Sequence, residues 1–141
     1  MVNVLRRFKR SLAVGDIWWA RDSDTGTKHK NQLVIDHPSL IVRGPSGTGG
    51  EVLATVGSKQ ASTNPSNPEI VVDPSTGAGL DMTIVSNRPL QDKTHFWLIL
   101  SEVKDPSIYR TFAGALSPDM LEILRQNRPS HPVRLPSTPP I

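Results

Sequence analysis

Four histidines and a scatter of hydroxyls are the residues of this chain with catalytic range, since it holds no cysteine. In "TKHKN", His29 stands beside Lys30, and an imidazole that titrates near neutral pH is suited to proton transfer. The same residue serves equally as a loop histidine without a task. His37 sits before Pro38 at the end of a strand-like run, and His95 opens "HFWLIL". No two histidines have the helical spacing of a metal site. Without thiolates or a clustered carboxylate partner, neither a metal nor a cofactor is expected. Ser-His-Asp chemistry stays open, with no nucleophile-elbow glycines to support it. "GPSGTGG" lacks the following Lys-Ser/Thr of a phosphate-binding loop and does not open a helix, so nucleotide binding is not expected.

These groups must be carried by one small domain. The chain has 141 residues, a size at which folding buries roughly two thirds of the unfolded surface, enough for one compact core. A formal net charge of +3 permits an anionic partner without demanding one. The lack of cysteine suits a reducing cytosol. No apolar run approaches the length of a membrane span, and the cations near the N-terminus are followed by no apolar signal core. A soluble, cytoplasmic protein is expected, with no membrane partner.

Three parts follow from the composition. Residues 1–11, with "LRRFKR", read as a basic N-terminal arm, either solvated or touching nucleic acid. Residues 127–141, with "RPSHPVRLPSTPPI", read as a disordered, Pro-rich tail. The fold then lies in residues 12–126. There "DIWWA", "QLVIDH", "SLIVR", "EVLATVG", "EIVVD", "MTIVS" and "HFWLILSEV" are β-branched or aromatic runs set off by Gly, Pro, Ser, Asn and Asp. Gly44 to Glu51 reads as a hairpin-like connection and Ser58 to Glu69 as a second, longer polar one. Near the end Ser117 caps a helix, Pro118 suits its first position, and Leu116, Met120, Ile123 and Leu124 form its apolar stripe. The expected fold is mainly β, a small SH3-like barrel or roll closed by a C-terminal α-helix.

The order "GDIWWA", "QLVID", "EVLATVGSK", "PEIVVD" and "GALSPDMLEIL" resembles the MazF/PemK family of toxin-antitoxin ribonucleases, over roughly Val14 to Leu124. The first and last motifs carry most of the likeness. The resemblance implies cleavage of single-stranded RNA without metal, by attack of the ribose 2′-hydroxyl on the neighbouring phosphate. It also implies a homodimer and an antitoxin protein that occupies the RNA groove. In the family an Arg opening the second strand and a Thr or Ser after the third do the chemistry. Aligned so, Lys30 takes the arginine position, Gly57 the threonine position, and Ser58 stands next to it. Lysine neutralises phosphate as a point charge and lacks the guanidinium fork. A one-residue bulge would bring Ser58 into register, with Thr55 as the fallback. The resemblance thus implies Lys30 and Ser58 as catalytic residues, with Arg21, Lys28, His29, Thr55 and Lys59 along the substrate.

Adjacent strand residues point to opposite faces, so Trp18 and Trp19 need cover on both sides. One indole would fill the core. The other lies beside the groove or dimer contact, or is buried against the helix or arm. Two function classes remain: a MazF/PemK-like endoribonuclease, and a non-catalytic barrel of the same descent that binds nucleic acid or a protein.

Overall fold

The computed structural model describes residues 12–27, 36–46, 50–62 and 66–127. The protein is mainly β, one curled antiparallel sheet ending in a helix, as the alternating runs lead one to expect. Strand β1 (Asp16–Arg21) is followed by a single helical turn, α1 (Asp22–Thr25). Then come β2 (Asp36–Ser46), β3 (Glu51–Ser58), β4 (Glu69–Val72), β5 (Thr94–Trp97), β6 (Glu102–Lys104), β7 (Thr111–Ala115) and α2 (Pro118–Asn127). The sheet order is β4-β5-β3-β2-β1-β7, and β6 also pairs with β3.

The first motif is built for packing. Gly15 has φ +88°, a conformation open to glycine at little cost, and a Cβ there would come within 2.7 Å of Leu121 Cδ1 on α2. Asp16 is buried, and its Oδ2 accepts from the backbone of Ala13 at 3.1 Å and from Trp18 Nε1 at 3.4 Å. Ile17 then enters the larger core with Leu40, Leu53, Ile70, Phe96 and Leu124. Trp18 points the other way, into a second cluster with Ile41, Val52, Ala54, Tyr109 and Phe112, its ring edge-on to Phe112 at 5.4 Å. Trp19 returns to the first side, half-buried against the larger core. Its Nε1 donates to Arg88 O at 2.7 Å, and the Arg88 guanidinium lies 3.9 Å above its ring while bonding Asp36. Both indoles are therefore covered within one chain.

Three local readings need correction. "HFWLILSEV" is not one strand: a 3-10 turn at Leu98–Leu100 divides β5 from β6. Ser101, fully buried, closes that turn by donating from Oγ to Leu98 O at 2.7 Å. Both pieces still pair with β3, β6 beside Val52–Ala54 and β5 beside Gly57–Ser58, so the sheet bends there. "MTIVS" forms no strand. Asp81 Oδ1 accepts from the Thr83 backbone and hydroxyl at 3.0 and 2.5 Å, and this local turn outcompetes a ladder, leaving Met82 and Val85 exposed. In α2, Met120, Leu121 and Leu124 meet the core while Ile123 is 44% exposed. At 100° per residue those three span one arc, and Ile123 falls about 107° from its centre. Leu116 reaches the core from a bridge to Leu80 before the helix begins.

Ser117 Oγ accepts from Met120 N at 3.3 Å, and Pro118 is the first helical residue, the cap read from the sequence. The helix runs through Asn127, one residue into the expected tail. The expected arm at 1–11 and the tail beyond Asn127 lie outside the described residues. The strand that pairs with β1 runs from Asp36 through Pro38 into "SLIVR", joining the end of one expected run to the next. Among the described residues no helix is long and apolar enough to cross a membrane.

Candidate functional site

The site forms where β2, β3 and β5 meet, and glycine decides its orientation. Gly57 faces the larger core. A Cβ there would lie 2.5 Å from Thr94 Cγ2 and 2.9 Å from Phe96 Cε1, because Phe96 stands directly opposite and lies across the gap. A larger residue at 57 would collide, so the strand's next residue, Ser58, presents its hydroxyl on the other face. Thr55 lies on the core face, 1% exposed, with its hydroxyl donating to Trp97 O at 2.9 Å.

Ser58 is opposite His95 in the β3–β5 ladder. His95 Nδ1 meets Glu69 Oε2 at 2.8 Å, and the two side chains are 13% and 17% exposed. Glu69 and His95 stand diagonally across the β4–β5 pair, where Val71 faces His95 and Glu69 faces Trp97, so both rise from one face. The segment after β3 folds back over them. Gln60 N donates to Ser58 Oγ at 3.0 Å, Trp97 Nε1 to Gln60 O at 3.0 Å, and Ser62 N to Glu69 Oε1 at 2.7 Å. Ser58 thus has its oxygen oriented by a backbone N–H.

A second imidazole-carboxylate pair lies on the other side. His37 Nδ1 meets Asp22 Oδ1 at 2.7 Å, with side chains 14% and 13% exposed. Asp22 is the first residue of α1, which follows β1 directly, and His37 pairs with Ala20 on β1. The β2–β3 register is Ser39↔Val56, Leu40↔Thr55 and Ile41↔Ala54. The ladder ends at Ser39↔Val56, and the same register carried two residues past that end would set His37 across from Ser58. The short approach of 3.2 Å from the Pro38 carbonyl to a Cβ at Gly57 agrees with that register.

Along the same face, a small cleft lined by Thr25, Thr27, Val56, Glu102, Lys104 and Tyr109 adjoins the row. Lys104 Nζ donates to Thr25 O at 3.1 Å and pairs with Glu102 at 3.0 Å. Burial pushes the Tyr109 phenol well up from its ordinary value, and nearby Glu102 adds to this. The Ser39 hydroxyl offsets the rise in part, although Ser39 Oγ, fully buried, makes no well-formed hydrogen bond among the described residues.

Of the residues expected at the substrate, Ser58 belongs to this row. Lys59 follows it, 83% exposed and 3.5 Å from Asp92. Arg21 is exposed at the end of β1, in step with Trp19 and so on the opposite face. Lys28, His29 and Lys30 lie outside the described residues. Sequence reasoning passed over His37, His95, Asp22 and Glu69 as site residues. One signal was present: a His-Pro pair lies at the second and third positions of the strand that pairs with β1. Among the described residues no group of three or more His, Asp or Glu is placed to hold a metal ion. No family model, curated protein or solved structure matches the chain.

Proposed function

We propose that this protein is a metal-independent endoribonuclease of the MazF/PemK kind, cleaving single-stranded RNA through its 2′-hydroxyl. The observation that carries the reading is Ser58: a hydroxyl oriented by Gln60 N–H and directly opposite a carboxylate-held imidazole. RNA transphosphorylation needs hydrogen-bond donors on the phosphoryl oxygens and groups that take up and return a proton, all of which side chains alone supply. Ser58 donates to a non-bridging oxygen, Lys59 attracts the backbone, and Lys30 adds a cation at the position the family gives to arginine. Lys28 and His29 extend the substrate contacts, and Arg21, on the opposite face, takes no part in them. Thr55, tied to the Trp97 carbonyl inside the core, keeps β3 in place. The active form is a homodimer that an antitoxin protein silences by filling the groove.

The departures at positions 30 and 57 favour a second reading, a barrel of the same descent that binds RNA without cutting it. Purified protein incubated with mixed-sequence single-stranded RNA in the presence of a chelator separates the two. Cleavage that Lys30→Ala and Ser58→Ala each reduce by about a hundredfold supports the enzyme. Binding with steep salt dependence and no cleavage supports the module. Neither cleavage nor binding removes both.

A further inference from the structure

We infer that His37 and His95 are the proton-transfer pair of this site, one on each side of Ser58, acting on a single phosphodiester seated between them. The inference rests on the ribonuclease reading above.

Three observations support it. The first is position. His95 is opposite Ser58 on β5, and the β2–β3 register continued two residues puts His37 opposite Ser58 on β2. Directly opposed residues project from the same face, and neighbouring strands lie about 4.8 Å apart. On that continued register the two imidazoles would rise from backbones about 10 Å apart with a hydroxyl between them, a gap suited to one phosphate. The second is tautomer control. Each ring is held through Nδ1, His37 by Asp22 at 2.7 Å and His95 by Glu69 at 2.8 Å. Proton exchange with substrate then falls to Nε2, with each carboxylate fixing the orientation of its ring. The third is access. The histidine side chains are 14% and 13% exposed, shielded enough to strengthen charge interactions yet open to the surface.

The chemistry balances without any co-reactant. One imidazole, neutral at the start, accepts the 2′-hydroxyl proton as the 2′-oxygen bonds to phosphorus. The bond from phosphorus to the 5′-oxygen breaks, and the other ring, protonated at the start, gives its proton to the departing oxygen. The products are a 2′,3′-cyclic phosphate and a 5′-hydroxyl, with no change of oxidation state. Ser58 donates to a non-bridging oxygen throughout. Among the described residues, the charged groups on and beside this row are Asp22 from α1, Glu69 from β4, the Lys59–Asp92 pair beside the end of β3, and the Glu102–Lys104 pair of the adjoining cleft.

The test uses the full chain, a fluorophore-quencher oligoribonucleotide of mixed sequence and a chelator, with rates measured from pH 5 to 9. Wild type should give a bell-shaped profile and a cyclic-phosphate product. His37→Asn and His95→Asn should each lower kcat by about a hundredfold or more and each flatten one limb, a different limb for each. Far-ultraviolet circular dichroism and thermal melting check folding, and His37→Gln and His95→Gln replace any variant that fails them. Asp22→Asn and Glu69→Gln should lower kcat less and displace the limbs that the paired histidines control. If wild type cleaves and folded histidine variants keep rates within about threefold and an unchanged bell, the pair is wrong and the ribonuclease reading stands. If wild type cleaves no RNA, the reading itself fails and takes the pair with it.

Discussion

At the scale of residues, position 57 is where a methyl group would be felt most. Its absent side chain is what lets Phe96 and Thr94 close over the β3–β5 ladder. Gly57→Ala should destabilise the protein by about 1–3 kcal/mol, the usual cost of overpacking, read as a lowered urea midpoint at unchanged slope. An unaffected midpoint would mean that β5 yields easily. Ser58→Ala, by contrast, removes a hydroxyl that accepts from the Gln60 backbone. It should cost about 1 kcal/mol or less in stability while lowering RNA cleavage about a hundredfold. Tyr109 contributes to alkaline behaviour. Its phenol is pushed up from an ordinary value of 10.0 by burial, so the folded state holds a proton that the unfolded chain releases. The stability this contributes is fully present below about pH 10 and is lost as pH rises above it. Tyr109→Phe should flatten that alkaline decline in chemical unfolding at pH 8 to 11, and an equally steep decline in the variant would assign it to other groups.

At the scale of elements, α2 shows how much a phase error matters. Its apolar residues are legible in the sequence, but the core meets it along the arc of Met120, Leu121 and Leu124 rather than through Ile123. Leu124→Ala should therefore cost about 2–5 kcal/mol, whereas Ile123→Ala should change stability by about 0.5 kcal/mol or less. Comparable losses at the two positions in thermal or urea unfolding would place a second covering surface against Ile123. The cap is simpler, because Ser117 acts on its own helix within a few residues. Strand β1 lies between these cases. Alternation alone requires cover for Trp18 and Trp19 on opposite faces, yet which partners provide it, Phe112 for one and Arg88 for the other, depends on chain more than sixty residues away.

At the scale of the whole molecule, the proposed homodimer is the property most open to direct measurement. Sedimentation should give a dimer at high micromolar concentration, and a monomer there would count against the toxin-like assembly. What the sequence determined by itself was local: the period-two runs that make a β-rich domain and the Ser117-Pro118 helix start. Those features follow from side-chain direction and capping over a few residues. The tertiary structure alone decided the rest. Strand pairing brings Ser58, Glu69 and His95 to one face of β3, β4 and β5, with His37 of β2 and Asp22 of α1 at its edge, and pairing register is set by the packing of distant faces against a shared core. A slip of one residue in β3 would turn Ser58 inward and Gly57 outward, so the site exists only because Phe96 settles over a glycine.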